Sequence, residues 1–94
     1  MTEDDTKGPR GSVAIIGAGD YIGGAIAKRF AAGGYPVFAG RRNGDKLQPL
    51  VAEIEGAGGF CRGRSLDARQ EADIAAFLTE ADAYAPLEIC IFNV

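Results

Sequence analysis

The sequence predicts an α/β fold built on a doubly wound parallel sheet with the strand order 3-2-1-4. Short apolar runs alternate with amphipathic helical stretches from residue 12 to the last residue. A glycine-rich turn directly follows the first apolar run. Right-handed crossovers place the second and third strands on one side of the first strand and the fourth strand on the other.

Length and composition limit the possible functions. A chain of 94 residues with a formal net charge of −3 forms one small domain, and its mild acidity gives no reason to expect a nucleic-acid surface. It contains no histidine, which excludes histidine-dependent catalysis and histidine-ligated metals, and we expect no metal site. No apolar run is long enough for a membrane span. Residues 1–11 are predicted to be a disordered lead-in to a domain over 12–94.

The two cysteines, Cys61 and Cys90, are isolated and far apart. Their spacing fits neither a zinc site nor a disulfide framework, and a reducing, cytoplasmic location is the simplest interpretation. Cys90 lies in a predicted strand and is expected to be buried there, because the sequence offers no base to activate its thiol.

In the first half, a continuous apolar run at 13–16 predicts a strand buried on both faces. A helix is predicted over 22–32 and a second strand over 36–40, where proline is tolerated at the first position. The expected buried face of this helix consists of Ile22, Ala25, Ile26 and Phe30.

In the second half, Asp45 is the predicted N-cap of the second helix. Residues 60–66 form a polar edge strand, and Asp67 caps the third helix with Gln70 at the reciprocal position. The fourth strand is predicted over 87–92. The apolar faces of the two helices are Leu47, Leu50, Val51 and Ile54, and then Ile74, Phe77, Leu78 and Ala81.

The glycine-rich turn is the strongest functional motif. Gly17 allows the turn out of the first strand, Gly19 lets the backbone approach an anionic ligand, and Gly23 lets the helix lie close to the sheet. Free amides at the helix start then face a pyrophosphate, assisted by the helix dipole. The alternative is a glycine-rich strand-to-helix turn that binds no ligand.

Three further residues of this turn are assigned to the cofactor site. Asp20 brings a negative charge into the loop, which counts mildly against a phosphorylated ribose. Tyr21 either covers the phosphates or is an exposed turn residue, and Ile22 follows it at the start of the helix.

Arg41 and Arg42 follow the second strand, where a dinucleotide-binding fold that prefers NAD carries an acidic residue. Guanidinium groups suit a ribose 2′-phosphate, so the pair favours NADP, with NAD still possible. The alternative is a solvated basic pair in an exposed turn.

Residues at the ends of the other strands complete the candidate site. Leu66 and Asp67 end the third strand, and the Asp67 carboxylate can accept a hydrogen bond from the adenine amino group. A pure helix N-cap is the alternative for Asp67, and the two roles are compatible. Asn93 ends the fourth strand, where the cofactor would pass.

With these residues placed, the chain resembles the short-chain dehydrogenase/reductase family from residue 12 to residue 94. The family has a glycine-rich loop of the form T-G-x-x-x-G-x-G. Gly17, Tyr21 and Gly23 align with its three glycines, so that Tyr21 replaces the middle glycine. Ile16 stands at the position of the threonine.

Other positions carry the resemblance further. Asp67 matches the aspartate that contacts adenine in this family, and the basic pair Arg41 and Arg42 matches its NADP-preferring members. Asn93 matches the second asparagine of the family's N-N-A-G motif, and Phe92 replaces the first.

The resemblance implies a Rossmann-like fold and a hydride transfer between NADP and an alcohol or carbonyl. The family's catalytic Ser and Tyr-x-x-x-Lys have no counterparts in these 94 residues. We therefore expect the N-terminal part of a truncated cofactor-binding domain, inactive by itself, from a family whose full-length members are homo-oligomers. A non-catalytic nucleotide-binding module and an inactive fragment are the alternatives.

Overall fold

The computed structural model of the protein describes residues 11–18 and 21–93, so most of the predicted lead-in lies outside the described residues. Four parallel strands form one sheet in the order β3-β2-β1-β4, which confirms the predicted topology. The elements are β1 (Ser12–Ile16), α1 (Tyr21–Ala32), β2 (Val37–Arg41), a 3-10 helix (Gly44–Leu47), α2 (Gln48–Gly56), β3 (Cys61–Ser65), α3 (Glu71–Tyr84) and β4 (Leu87–Phe92).

Helices cover both faces of the sheet, which explains why β1 is buried along its whole length. The core on the face of α1 and α2 comprises Val13, Ile15, Ala18, Ala27, Ala31, Val37, Ala39, Leu47, Ile54 and Cys61. The core on the face of α3 comprises Ala14, Ile16, Phe38, Leu66, Phe77 and Ala81. Side chains of β1 alternate between the two cores, as the pleat of a central strand requires.

The buried face predicted for α1 is wrong. The residues buried in this helix are Gly23, Ala27 and Ala31, spaced four apart, whereas Ile22 is exposed and Ile26 is only partly buried. The helix contacts the sheet through its smallest side chains. This arrangement brings the helix axis close to the strands, and the larger apolar residues are displaced to the flanks of the contact.

Both predicted N-caps are also wrong. Asn43, not Asp45, caps the segment after β2: its side chain accepts a hydrogen bond from the Asp45 amide at 3.2 Å, and a 3-10 turn precedes α2. The N-cap of α3 is Gln70, which makes no side-chain capping bond. Asp67 lies too early to cap α3, because a turn over residues 68–69 separates it from the helix.

β4 carries an irregularity in its pairing with β1. Leu87 pairs with Ser12 and Ile89 pairs with Val13, so Glu88 is an extra residue in β4. Leu87 therefore packs against the α3 core, whereas Ile89 packs against the opposite core.

Cys90 is exposed, contrary to the prediction that it is buried. It pairs with Ala14 and so lies on the α3 face of the sheet, as does Phe92, which pairs with Ile16 and is 55% exposed. Among the described residues, α3 covers β1 and β2 on this face but leaves these two positions of β4 open. The thiols of Cys61 and Cys90 are both free.

Gly40 offers a test of how tightly the α3 core is packed. A Cβ added there would lie 2.3 Å from Leu66 Cδ2 and 3.2 Å from Phe77 Cζ, and both side chains are buried. We expect Gly40→Ala to lower the free energy of unfolding by about 1–3 kcal/mol, because the enclosed side chains have little room to move. Urea denaturation measures the change.

Gly56→Ala is the matched control. Nothing lies within 4 Å of a Cβ added at this exposed helical position, so the substitution should be neutral or stabilising by up to about 1 kcal/mol. Equal effects of the two substitutions would contradict the packing described for Gly40.

Candidate functional site

The turn after β1 is held by the ends of both neighbouring strands. Gly17 has φ of 90°, a left-handed conformation that favours glycine, and its amide donates to the Gly40 carbonyl at 2.8 Å. The Ala18 amide donates to the same carbonyl at 3.2 Å. The predicted role of Gly17, to turn the chain out of the strand, is confirmed by this geometry.

Asn93 fixes the other side of the turn. Its backbone amide donates to the Ile16 carbonyl at 2.8 Å, and its side-chain Nδ2 donates to the Gly17 carbonyl at 3.1 Å. A Cβ on Gly17 would lie 1.9 Å from the Asn93 carbonyl oxygen. Only a glycine therefore permits this approach, and Asn93 links the carboxyl ends of β1 and β4.

Gly23 lets α1 begin directly against the turn. A Cβ on Gly23 would lie 2.4 Å from the Gly17 carbonyl oxygen and 2.7 Å from Ala18 Cα. These are backbone atoms, which cannot move aside as a side chain can. The next residue differs: a Cβ on Gly24 would make only ordinary contacts, at 3.8 Å. Of these two glycines, Gly23 is therefore the one on which the close approach of helix and turn depends.

The surface beside this turn is open and apolar at the first residues of α1. Tyr21 is 90% exposed and Ile22 is 59% exposed. Tyr21 is the first residue of α1, and its two predicted roles, as a cover over the phosphates or as an exposed turn residue, stay predictions. Gly19 and Asp20 lie outside the described residues, so their predicted roles stay predictions.

The predicted basic pair lies at the carboxyl end of β2. Arg41 is the last residue of the strand and is partly buried, whereas Arg42 is exposed. The loop that follows is attached to β3, because the Gly44 amide donates to Ser65 Oγ at 2.9 Å and the Leu66 amide donates to the Arg41 carbonyl at 2.9 Å.

Leu66 and Asp67 follow β3 at the same edge of the sheet. The Leu66 side chain is buried in the α3 core, so it packs beneath the edge of the sheet and is not exposed at the candidate site. The carboxylate of Asp67 is bound by Arg69, whose amide and Nε donate to Oδ1 at 2.9 and 3.0 Å and whose Nη2 donates to Oδ2 at 3.0 Å.

This pairing lowers the pKa of the Asp67 carboxyl to about 2. The side-chain and backbone hydrogen bonds from Arg69 are the main causes, and the positive charge of Arg42 contributes in the same direction. Sequence reasoning missed Arg69. The sequence does place an arginine two residues after the candidate aspartate. Whether two such close neighbours form an ion pair depends on the conformation of the turn between β3 and α3, which the sequence did not define.

The structure therefore brings the predicted residues to one edge of the sheet. Gly17, Arg41, Asp67 and Asn93 stand at or just beyond the carboxyl ends of four parallel strands. In open α/β sheets, ligands bind outside these ends, where the strand order reverses. Here the reversal lies at β1, between β2 and β4.

The described part of the chain contains no group of three or more Cys, Asp or Glu side chains placed to hold a metal ion. None of its helices combines the length and the apolar character that a membrane span requires.

Comparison with known proteins identifies the family. The model of the short chain dehydrogenase family matches residues 12–94. The chain belongs to the short-chain dehydrogenase family. A search of curated proteins found no match.

Several solved short-chain dehydrogenases are similar to the chain. One from Rhodopseudomonas palustris is 69% identical with a TM-score of 0.90 over 92% of this chain and 41% of its own. A metagenomic short-chain oxidoreductase in complex with NADP is 32% identical, with a TM-score of 0.78 over 87% of this chain and 38% of its own.

A variant of the actinorhodin polyketide ketoreductase, solved with NADPH, is 30% identical with a TM-score of 0.78 over 88% of this chain and 33% of its own. The chain thus spans about two fifths or less of the length of these three structures. The Rossmann-like, partial sheet expected from the sequence is confirmed by these likenesses together with the observed strand order.

The contact between Gly23 and the turn can be tested by substitution. We expect Gly23→Ala to destabilise the protein by about 1–3 kcal/mol, because the added carbon meets backbone atoms that must shift. Gly24→Ala is the neighbouring control and should be neutral or slightly stabilising, since alanine favours the helix. Thermal and urea denaturation compare the two, and a Gly23→Ala variant as stable as Gly24→Ala would refute the close contact.

The pairing of Asp67 with Arg69 predicts an acid titration. Asp67 should titrate near pH 2, and Arg69→Ala should raise its pKa towards the ordinary value of 3.8. Since the folded pKa is depressed, the ionised carboxylate contributes stability above about pH 4, and this contribution is lost as pH falls towards about 2. Carboxyl carbon shifts in NMR measure the titration, and Arg64→Ala, which removes a different arginine, should leave it unchanged.

Proposed function

We propose that this chain is the cofactor-binding portion of a short-chain oxidoreductase that uses NADP(H), the full enzyme transferring hydride between NADP and an alcohol or carbonyl. The observation that carries the proposal is the contact of α1 with the turn after β1. There Gly17 and Gly23 bring a helix N-terminus to the carboxyl edge of the sheet with no side chain between them. This arrangement suits a pyrophosphate.

The described residues fit such a cofactor at several points along the edge. Tyr21 and Ile22 border the start of α1 with exposed apolar surface, and Asn93 lies on the opposite side of the turn. Further along, the Asp67 carboxylate is an acceptor for the adenine amino group. When bound, the nicotinamide would supply hydride chemistry, and the residues of this chain would hold and orient the dinucleotide.

The preference for NADP over NAD rests on the end of β2. The three residues after the strand, Arg42, Asn43 and Gly44, are not acidic, and Arg42 is exposed. Its positive charge helps to lower the pKa of the Asp67 carboxyl, which supports a position near the adenosine part of the proposed cofactor. The solved relatives that were crystallised with NADP or NADPH support this choice.

We further propose that these 94 residues bind the cofactor without turning it over. The family's tyrosine and lysine pair has no counterpart here, because Tyr21, Tyr35 and Tyr84 are followed four residues later by Ala, Ala and Glu. Binding without turnover also fits a non-catalytic nucleotide-binding module. The reading frame at position 94 distinguishes the two: continuation into a Ser and a Tyr-x-x-x-Lys would indicate the enzyme, and a stop codon would favour the module. The cytoplasmic location and the homo-oligomeric state of full-length relatives remain predictions.

Removal of the Arg42 guanidinium tests the cofactor choice. We expect Arg42→Ala to weaken NADPH binding about 10-fold to 100-fold, the effect of losing one charge-assisted contact to phosphate. NADH binding should change little, because NADH has no 2′-phosphate. Calorimetric titration with both nucleotides measures the ratio, and Arg41→Ala tests the second member of the pair.

Arg29→Ala controls for the loss of one positive charge, since Arg29 lies in the last turn of α1, away from the carboxyl edge of the sheet. It should leave both affinities unchanged. If the parent, Arg42→Ala and Arg41→Ala bound NADPH with equal affinity, the assignment of the basic pair to the 2′-phosphate would be rejected. Absence of binding of either nucleotide to the parent would reject the proposed function.

A further inference from the structure

The carboxylate of Asp67 is held by the residue two positions after it in the chain. Three donors of Arg69 bind it, two at Oδ1 and one at Oδ2. We propose that Arg69 is the positioning residue of the adenine subsite: it orients the Asp67 carboxylate so that Oδ2 accepts the exocyclic amino group of a 6-aminopurine. This inference rests on the proposed cofactor site.

The hydrogen-bonding capacity of the carboxylate supports this assignment. Each carboxylate oxygen offers about two acceptor positions. Oδ1 accepts from the Arg69 amide and from Nε, which fills it, whereas among the described residues Oδ2 accepts from Nη2 alone. Within this part of the chain, one acceptor position on Oδ2 is left for a ligand. The two-pronged contact also fixes the rotation of the carboxylate, so the direction of that position is set before a ligand arrives.

The backbone of Asp67 is fixed as well as its side chain. Its amide donates to Asp73 Oδ2 at 3.0 Å, and Asp73 lies in the first turn of α3. The preceding amide, of Leu66, donates to the Arg41 carbonyl at the end of β2. Asp67 is therefore attached to α3 through its own amide and to β2 through the amide of the preceding residue.

Exposure agrees with a role at the surface of a binding site. The Asp67 side chain is 24% exposed and the Arg69 side chain is 71% exposed, so the arginine covers the carboxylate and leaves it partly open. An exposed ion pair contributes little to stability by itself. The contact with Arg69 acts mainly on the orientation of the Asp67 carboxylate. The informative measurement is therefore the affinity for two ligands that differ at the adenine ring.

The discriminating ligand is the hypoxanthine analogue of NADPH. Its position 6 carries a carbonyl oxygen where adenine carries the amino group, so this position cannot donate to Asp67 Oδ2, and its N1 carries a proton where adenine N1 is an acceptor. The ratio of the two dissociation constants therefore reports recognition of this edge of the base, and binding of the phosphates and nicotinamide affects both ligands equally. We expect the parent chain to prefer the adenine form about 10-fold.

Arg69→Ala should reduce this preference to about threefold or less while both dinucleotides still bind. Arg69→Lys, which keeps the charge but not the two-pronged geometry, should give an intermediate ratio. The matched control is Arg64→Ala, because Arg64 makes a similar two-pronged pair with Glu80 on the side of α3. That variant should keep the parental ratio. Circular dichroism checks that each variant is folded.

The outcomes separate this inference from the function on which it rests. Retention of the parental ratio in both Arg69 variants, or a parent chain that binds the two dinucleotides equally well, would overturn the role of Arg69 and leave cofactor binding intact. A higher ratio in Arg69→Ala would show that the arginine competes with adenine and would also overturn it. A parent chain that binds neither dinucleotide would reject the proposed function itself.

Discussion

The structure depends on one contact between backbone segments, where the start of α1 meets the turn after β1. Gly23 and Gly17 lie so close that a single added carbon on Gly23 would come within 2.4 Å of the Gly17 carbonyl oxygen. The Gly17 turn is in turn bonded to Gly40 and Asn93. The ends of β2, β1 and β4 and the first turn of α1 are thereby fixed to one another.

The composition of α1 follows from that contact. A helix that begins against the backbone of the sheet must continue close to it, so only small side chains fit beneath it. Ala27 and Ala31 occupy this face one and two turns after Gly23. The apolar residues Ile26 and Phe30 then pack along the side of the helix, where they extend the core without separating helix and sheet.

The sequence was sufficient for the topology and insufficient for several local details. Alternating apolar runs and the glycine turn predicted all four strands and the edge where the candidate site lies, because these features depend on spacing. The strand order followed from the right-handedness of the crossovers. The contact face of α1 was misassigned, because hydrophobicity ranks Ile22 above Gly23 and does not register how close two backbones come. The predicted N-caps Asp45 and Asp67 were wrong for a related reason. A 3-10 turn and a two-residue turn shift the helix starts, and neither has a distinct pattern in the chain.

Candidate site residues divide in the same way. Candidates chosen for their position at a strand end, such as Gly17 and Asn93, lie at the predicted strand ends, and their role toward a cofactor stays a prediction. Arg69 was missed because its role depends on where its side chain reaches within a turn. The burial of Cys90 was overestimated because an apolar strand context does not reveal which part of a face the helices cover.

The extra residue in β4 has a consequence for how the two cores are connected. Leu87 and Ile89 are two positions apart, and in a regular strand they would point to the same side of the sheet. The extra residue Glu88 interrupts the alternation of side chains along β4, so Leu87 and Ile89 pack into the cores on opposite faces of the sheet. The amino-terminal end of β4 therefore contributes side chains to both cores, so loss of its pairing with β1 would weaken packing on both faces of the sheet.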